Sequence, residues 1–297
     1  MLPVSLEHVA TPVLDVGVEV SGPRAGTPVL LLHGWPDDVR TWDGVLPFLH
    51  QAGCRTFAPY LRGFGPTRFR SARTMRSGQL SALGQDVLDL ASALGLGRFA
   101  LIGHDWGARA AYIASVLAPD RVSHAVALSV GWGTNDPRQS LALEQARNYW
   151  YHWYMALERG ARAVREDRLG LTRLLWQTWG PPAWITDEAF DLTARSFDNP
   201  DWAEVTIHSY RHRWGLAEGD AAYAALEARL KTAPTIAVPT LVIHGSADWC
   251  NDPSTSANRD SAFARLYERL VLEGVGHFPS RESPGAVGEA VARFLAR

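Results

Sequence analysis

The stretch LIGHDWGARAAYIASVLA, residues 101–118, decides the fold. A short apolar run ends in glycine and gives way at once to helix-like spacing, so a strand turns sharply into a helix at Asp105. Asp105 stands between Gly103 and Gly107 in the frame G-x-D-x-G. Such a turn strains the central residue and needs small neighbours so that main chains can approach, and it thrusts the central side chain out beyond the strand end. The N–H of Trp106 then lies at a helix amino terminus, where it can stabilise a negative oxygen and form half of an oxyanion hole. A helix-capping aspartate is the plain alternative, but strand, frame, helix and a second loop, HGWP, occur together.

Outward from this turn, PVLLLHG (28–34) and RFALIGH (98–104) are continuous apolar runs that read as buried parallel strands. TFAPYLRGFG (56–65) is a further strand entering a glycine-rich loop, SALGQDVLDLASALG (81–95) has helical spacing, and SHAVALSV (123–130) is another strand. The alternation predicts an α/β fold with a mostly parallel central sheet and helices on both faces. From about 135 to 235 the strand pattern stops, and a segment rich in tryptophan, tyrosine and arginine reads as helices broken by loops such as WGPPAW. The βα pattern resumes with VPTLVIHGSAD (238–248) and RLVLEGVGH (269–277), and SPGAVGEAVARFLAR forms a last amphipathic helix. The expected organisation is a core over 1–134 and 236–297, with a helical cap over 135–235.

Sites in such sheets lie at the carboxyl ends of the strands. The loop His33–Pro36 sits at one such end, and the N–H of Trp35 supplies the second half of the oxyanion hole. His277, in GVGHFPSRESP, follows the last strand and is the expected base, because neutral imidazole can activate water near pH 7. Asp248, in VIHGSADW, is the expected acid that orients it, in the chain order nucleophile, acid, base. Asp252 nearby, and Asn135 or Asp136 after the earlier strand, are alternatives for that acid. A carboxylate nucleophile forms an ester with an sp³ carbon by displacement, which suits opening an epoxide or expelling a halide.

Composition narrows the partners. The 297 residues suit one large α/β domain with an insertion, and a formal net charge of -2 gives no pull towards nucleic acid or an anionic membrane. No apolar run approaches the roughly 18 residues a membrane span needs, and no basic leader opens the chain, which predicts a cytoplasmic protein. The two cysteines, Cys54 and Cys250, are expected to be free thiols. A small-molecule substrate is the expected partner and a homodimer is allowed. No metal or organic cofactor is expected, since no metal-ligand spacing is present.

HGWP, RGFG, GHDWGA, GSAD and GVGH together resemble the epoxide hydrolase and haloalkane or haloacetate dehalogenase branch of the α/β-hydrolase superfamily, over nearly the whole chain. The resemblance implies two cap tyrosines that hold and protonate an epoxide oxygen. YHWYM (151–155) is similar to the segment bearing the first, which gives Tyr151 with Tyr154 in reserve, and HSYRHRW gives Tyr210. The dehalogenase alternative draws on His152, Trp153 and Tyr210, which resemble a halide pocket, on the Trp106 indole, and on Arg109, which matches a carboxylate-binding arginine. Against it, Trp106 replaces the arginine that follows the nucleophile in haloacetate enzymes, and Trp35 replaces the asparagine usual in haloalkane enzymes. The tyrosines also fit plain cap-core aromatics, and ERGARAVREDR fits a solvated helical face. A binding protein that has lost turnover is the reading of another class, and the intact set Asp105, Asp248, His277 argues against it.

Overall fold

The computed structural model describes residues 3–133, 141–182 and 184–297. Among them lie strands β1 (Ser5–Ala10), β2 (Leu14–Ser21), β3 (Thr27–Leu32), β4 (Cys54–Pro59), β5 (Arg68–Phe69), β6 (Phe99–His104), β7 (Val122–Leu128), β8 (Thr240–Gly245) and β9 (Tyr267–Leu272). They form one sheet in the order β1-β2-β4-β3-β6-β7-β8-β9, with β5 paired to β2. From β4 to β9 every neighbouring pair is parallel. The antiparallel pairing of β1 with β2, which the apolar runs did not predict, adds an edge whose outer strand is largely exposed.

Alternation explains why the central strands are apolar throughout. In β3, Leu30 and Leu32 face one layer while Val29 and Leu31 face the other; in β6, Leu101 and Ile102 divide in the same way. One face is covered by α1 (Leu46–Gln51) and α12 (Pro284–Leu295) and the other by α2 (Leu80–Ala93) and α3 (Trp106–Leu117). A strand buried on both faces has no polar side to show. α2 buries Leu83, Val87, Leu90 and Ala91 at helical spacing and stops where Gly95 takes φ 68°. α3 ends at Leu117, before Pro119, because the residue ahead of a proline is disfavoured in helical conformation.

Between β7 and β8 the chain leaves the sheet and builds α4 (Leu143–Asn148), α5 (Trp150–Ala156), α6 (Glu158–Glu166), α7 (Arg168–Thr178), α8 (Asp187–Ala194), α9 (Trp202–Arg213) and α10 (Ala224–Leu230). The remaining short helix, α11 (Pro279–Glu282), precedes α12. The charge run on α6 is solvated as expected, although its Arg165 reaches Glu204 of α9 as well as Glu158 of its own helix. Both cysteines are buried free thiols, and among the described residues no helix is long and apolar enough to cross a membrane.

Buried Trp176, Trp179, Trp202, Tyr151 and Tyr210 continue the hydrophobic cluster of the α2/α3 face into this cap. Directed hydrogen bonds fix its seat. The Trp35 indole N–H donates to Thr206 Oγ1 at 2.9 Å, and the Trp176 indole donates to the Pro36 carbonyl at 2.7 Å. Gly65 N–H donates to the Ser196 carbonyl at 2.9 Å, and Ser196 Oγ donates to Asp38 Oδ2 at 2.6 Å. The HGWP and RGFG loops therefore carry the cap.

Arg281 of α11 completes the seat by pairing with buried Asp37 and donating to Thr193 Oγ1 of α8. Burial pushes the Asp37 carboxyl up, but Arg281 more than offsets this and holds it below 3.8. A folded value below the unfolded one stabilises the fold above the unfolded value, and the contribution fades as pH falls through the folded one. Arg281→Leu leaves a buried carboxylate unpaired, and by the usual cost of breaking a buried pair it should lose about 3–5 kcal/mol at neutral pH. In urea denaturation the gap from wild type should narrow towards pH ~3; a gap independent of pH would remove the ion pair as its cause.

Candidate active site

Asp105 takes φ 48° and ψ -109°, a conformation that L side chains rarely adopt. It is held there by two close approaches. A Cβ on Gly103 would come within 2.2 Å of the Gly107 carbonyl oxygen, and one on Gly107 within 2.0 Å of the Leu32 carbonyl oxygen. No residue larger than glycine fits at either place. Asp105 N–H donates to the Leu128 carbonyl of β7 at 3.2 Å, and its own carbonyl accepts from Arg109 N–H to open α3. The residue is 5% exposed, and its Oδ1 accepts the backbone N–H of Trp35 at 3.0 Å. Trp106 is the first residue of α3, so its N–H has no partner within the helix.

His277 follows β9 and lies against this turn, with Nε2 3.8 Å from Asp105 Oδ2. Its Nδ1 is 2.9 Å from Asp248 Oδ2 and 3.1 Å from Oδ1. Asp248 can only accept, so Nδ1 carries a proton. Nε2 is buried and has no hydrogen-bond partner, which leaves it open towards Asp105. Asp248 Oδ1 also accepts the N–H groups of Cys250 and Asn251 at 2.9 and 2.8 Å, and His244 Nε2 stands 3.2 Å from Oδ2. Burial alone would raise the Asp248 carboxyl, but the attraction of His277 and the bonds from His244 and His277 hold it well below the usual carboxylate range. Burial would lower His277, and the Asp248 charge reverses this and holds the imidazole well above 6.5.

The His277 backbone is fixed from two further sides. His104 Nε2 and Ser129 Oγ both donate to its carbonyl, at 2.7 and 2.9 Å. Burial, then the neighbouring His277, lowers His104 to about 4, so it is a neutral donor. The Trp179 carbonyl accepts His277 N–H at 3.0 Å, and the Trp179 ring stands edge-on at 5.0 Å. Asp252 instead caps its own turn by accepting Ser254 N–H at 2.8 Å. Asn135 and Asp136 lie outside the described residues.

The cap closes this edge with aromatic rings. Tyr151 stacks on Trp35 at 5.9 Å, and Tyr210 meets Trp35 at 5.0 Å, Trp106 at 5.8 Å and Tyr151 at 5.4 Å. The Tyr151 hydroxyl lies 3.4 Å from Cys250 Sγ. Burial raises both phenols well above 10, for Tyr210 with the Asp105 charge as the next cause, so both keep their protons. Arg109 is buried one helical turn beyond Asp105. His152 is buried, stacks on Tyr149 at 4.3 Å and accepts the Trp214 indole N–H at Nδ1, at 3.1 Å, so its Nε2 carries the proton.

Two expected contacts are corrected. Trp153 is 39% exposed and its indole N–H donates outward, to the Ala146 carbonyl at 2.9 Å. Tyr154 is half-buried beside Trp150, at 6.1 Å between rings. The cause is the phase of α5, whose buried stripe is Tyr151, His152 and Met155 and turns residues 153 and 154 away. His152, Trp153 and Tyr210 therefore do not converge.

The site also contains residues that sequence reasoning passed over: Trp179, His104, Ser129, His244 and Arg213. Arg213 alone had a signal, because helical spacing in HSYRHRW puts it on the face of Tyr210. Among the described residues no group of three or more His, Cys, Asp or Glu could hold a metal ion.

Residues 27–284 match the family model of the α/β hydrolase fold, and with the strand-turn-helix at Asp105 and the parallel sheet this chain belongs to that family. Within it, the chain is 36% identical to "Epoxide hydrolase 2" of Siraitia grosvenorii, over 98% of both chains. It is 28% identical to "Epoxide hydrolase A" of Mycobacterium tuberculosis, over 94% of both. A crystal structure of a Klebsiella pneumoniae protein, provisionally called an epoxide hydrolase, superposes with TM-score 0.93 at 38% identity, covering 99% of this chain and 98% of the other.

The His277–Asp248 geometry has a direct readout. Removing the Asp248 charge leaves burial as the dominant influence on the imidazole, so Asp248→Asn should move the His277 titration to lower pH. Following the imidazole Cε1–H by NMR checks this, and an unmoved midpoint would mean that Asp248 does not set the charge of His277.

Proposed function

We propose that this enzyme hydrolyses epoxides to vicinal diols through a covalent ester at Asp105. The observation that carries the reading is the pair of protonated phenols, Tyr151 and Tyr210, packed on the Trp35 ring while the Trp35 N–H holds the Asp105 carboxylate. An epoxide oxygen leaves as an alkoxide and needs an acid, which a buried phenol supplies. A halide leaves as a stable anion and needs no acid, so two protonated phenols beside the carboxylate favour the epoxide, and Trp153, one of the donors expected for a halide, faces away. The names of the Siraitia grosvenorii and Mycobacterium tuberculosis relatives support the same reading.

In the first step an Asp105 oxygen bonds to an epoxide carbon, that carbon's bond to the ring oxygen breaks, and a tyrosine proton passes to the departing oxygen. Esterification removes the carboxylate charge 3.8 Å from His277 Nε2 and with it one attraction that favours imidazolium. The imidazole then releases its Nε2 proton to solvent, to be taken back when the Asp105 charge returns; neutral His277 takes a proton from water, and the hydroxide adds to the ester carbonyl carbon. The N–H groups of Trp35 and Trp106 stabilise the oxyanion. Collapse breaks the ester C–O bond, the imidazolium proton goes to the departing diol oxygen, and the remaining carboxyl proton returns to tyrosinate. The sum is epoxide plus water to diol.

One turnover in H₂¹⁸O with enzyme in excess should give unlabelled diol and ¹⁸O in Asp105, read by mass spectrometry of its peptide. Label appearing in the diol on the first turnover would mean direct attack by water and would sink the ester. Asp105→Asn should lose turnover while keeping its fold, since its amide oxygen still accepts the Trp35 N–H. Tyr151→Phe and Tyr210→Phe should each lower kcat on the order of 10²-fold, the usual worth of a positioned acid.

A further inference from the structure

We propose that the substrate carries a carboxylate, which the Arg213 guanidinium grips inside the cap; this rests on the epoxide reading above and makes the natural substrate an epoxy carboxylic acid. Arg213 is the last residue of α9, one turn beyond Tyr210, and its guanidinium lies over the Tyr210 ring at 5.0 Å. Its Nε and Nη2 are buried and neither has a hydrogen-bond partner. Those two nitrogens share one edge of the guanidinium plane. That edge matches the two oxygens of a carboxylate in side-on, bidentate pairing.

The surroundings ask for the same ligand. Asp105 attracts Arg213, but its Oδ1 already accepts from Trp35, and Arg109 nearby repels it. Asp248 is saturated by its own donors. His152 Nε2, a donor by its tautomer, and the indole Nε1 of Trp179 are also buried without partners. Every one of these unmatched groups donates. Arg213 is half-buried, and the inner edge of its guanidinium is dry and meets no acceptor; leaving such an edge unmatched is costly, and a ligand rich in acceptors and negatively charged supplies what the protein leaves out. Burial, then Arg109, weakens the hold of Arg213 on its proton, and an anion placed there would reverse that. The aromatic rings around it accept the hydrocarbon part of the same molecule.

The test compares epoxy carboxylates of increasing chain length, from 3-phenylglycidate upwards, with their primary amides, which keep the shape and lose the charge. Wild type should prefer an acid over its amide by 10-fold or more in kcat/KM. Arg213→Gln should collapse that ratio towards one, and Arg213→Lys, which keeps charge without the fork, should restore part of it. Equal use of acid and amide by wild type, or an equal loss for both in Arg213→Gln, overturns the proposal. In parallel, calorimetry follows phenylacetate and phenylacetamide binding to the Asp105→Asn protein with and without Arg213→Gln. Phenylacetate binding that weakens 10- to 100-fold on losing Arg213 supports the site even if no epoxide is turned over, in which case only the epoxide reading falls. Epoxide turnover with no acid preference and no Arg213-dependent binding leaves that reading standing and removes this one.

Discussion

The structure depends on one close approach, the main chain at Gly107 lying against the Leu32 carbonyl of the neighbouring strand. That contact lets α3 start directly behind β6, and the turn between them forces Asp105 to a positive φ. From that position follow the reach of the carboxylate to the Trp35 N–H and the nearness of His277 Nε2. Tertiary packing holds a conformation that local energetics disfavour, and the strain sits where a side chain must project from the sheet edge.

Charge is arranged around this turn with similar economy. Two carboxylates flank one imidazole, and their surroundings separate them. Asp248 is surrounded by donors and keeps its charge permanently, whereas Asp105 has fewer ties and one lone oxygen facing His277. A permanent anion orients and a less encumbered one can react. The cap adds the opposite kind of group, phenols and ring N–H donors that stay protonated because they are dry.

What could be read from the sequence follows from the range over which each feature is encoded. The turn at Asp105, the HGWP loop and the ends of β8 and β9 are local: a few consecutive residues with glycine in fixed places determine where the chain goes. Their side chains then meet because parallel strands deliver all their carboxyl ends to one edge. The cap is encoded differently. In YWYHWYM nearly every residue is a ring, so hydrophobicity cannot tell which ones face inward, and the packing of α5 on α9 decides that Tyr151 and His152 do while Trp153 and Tyr154 do not. Trp179 carried no mark at all, since its place beside His277 comes from a loop bond between main chains. Arg213 ends a helix, where a basic residue needs no reason beyond the helix dipole; its spacing from Tyr210 placed it on that residue's face, but its unmatched nitrogens are visible only in the folded protein.

The insertion of the cap between β7 and β8 bears on how the molecule comes to exist. These two strands are hydrogen-bonded neighbours, Leu128 beside Ile243, yet the whole cap separates them along the chain. Closing so long a loop costs conformational entropy before any pairing repays it, and contacts of such high sequence separation slow folding. Asp105 emerges early in synthesis, whereas Asp248 and His277 arrive on the last strands. The reactive carboxylate thus waits, without its base, until the cap has been made and the sheet has been joined across it.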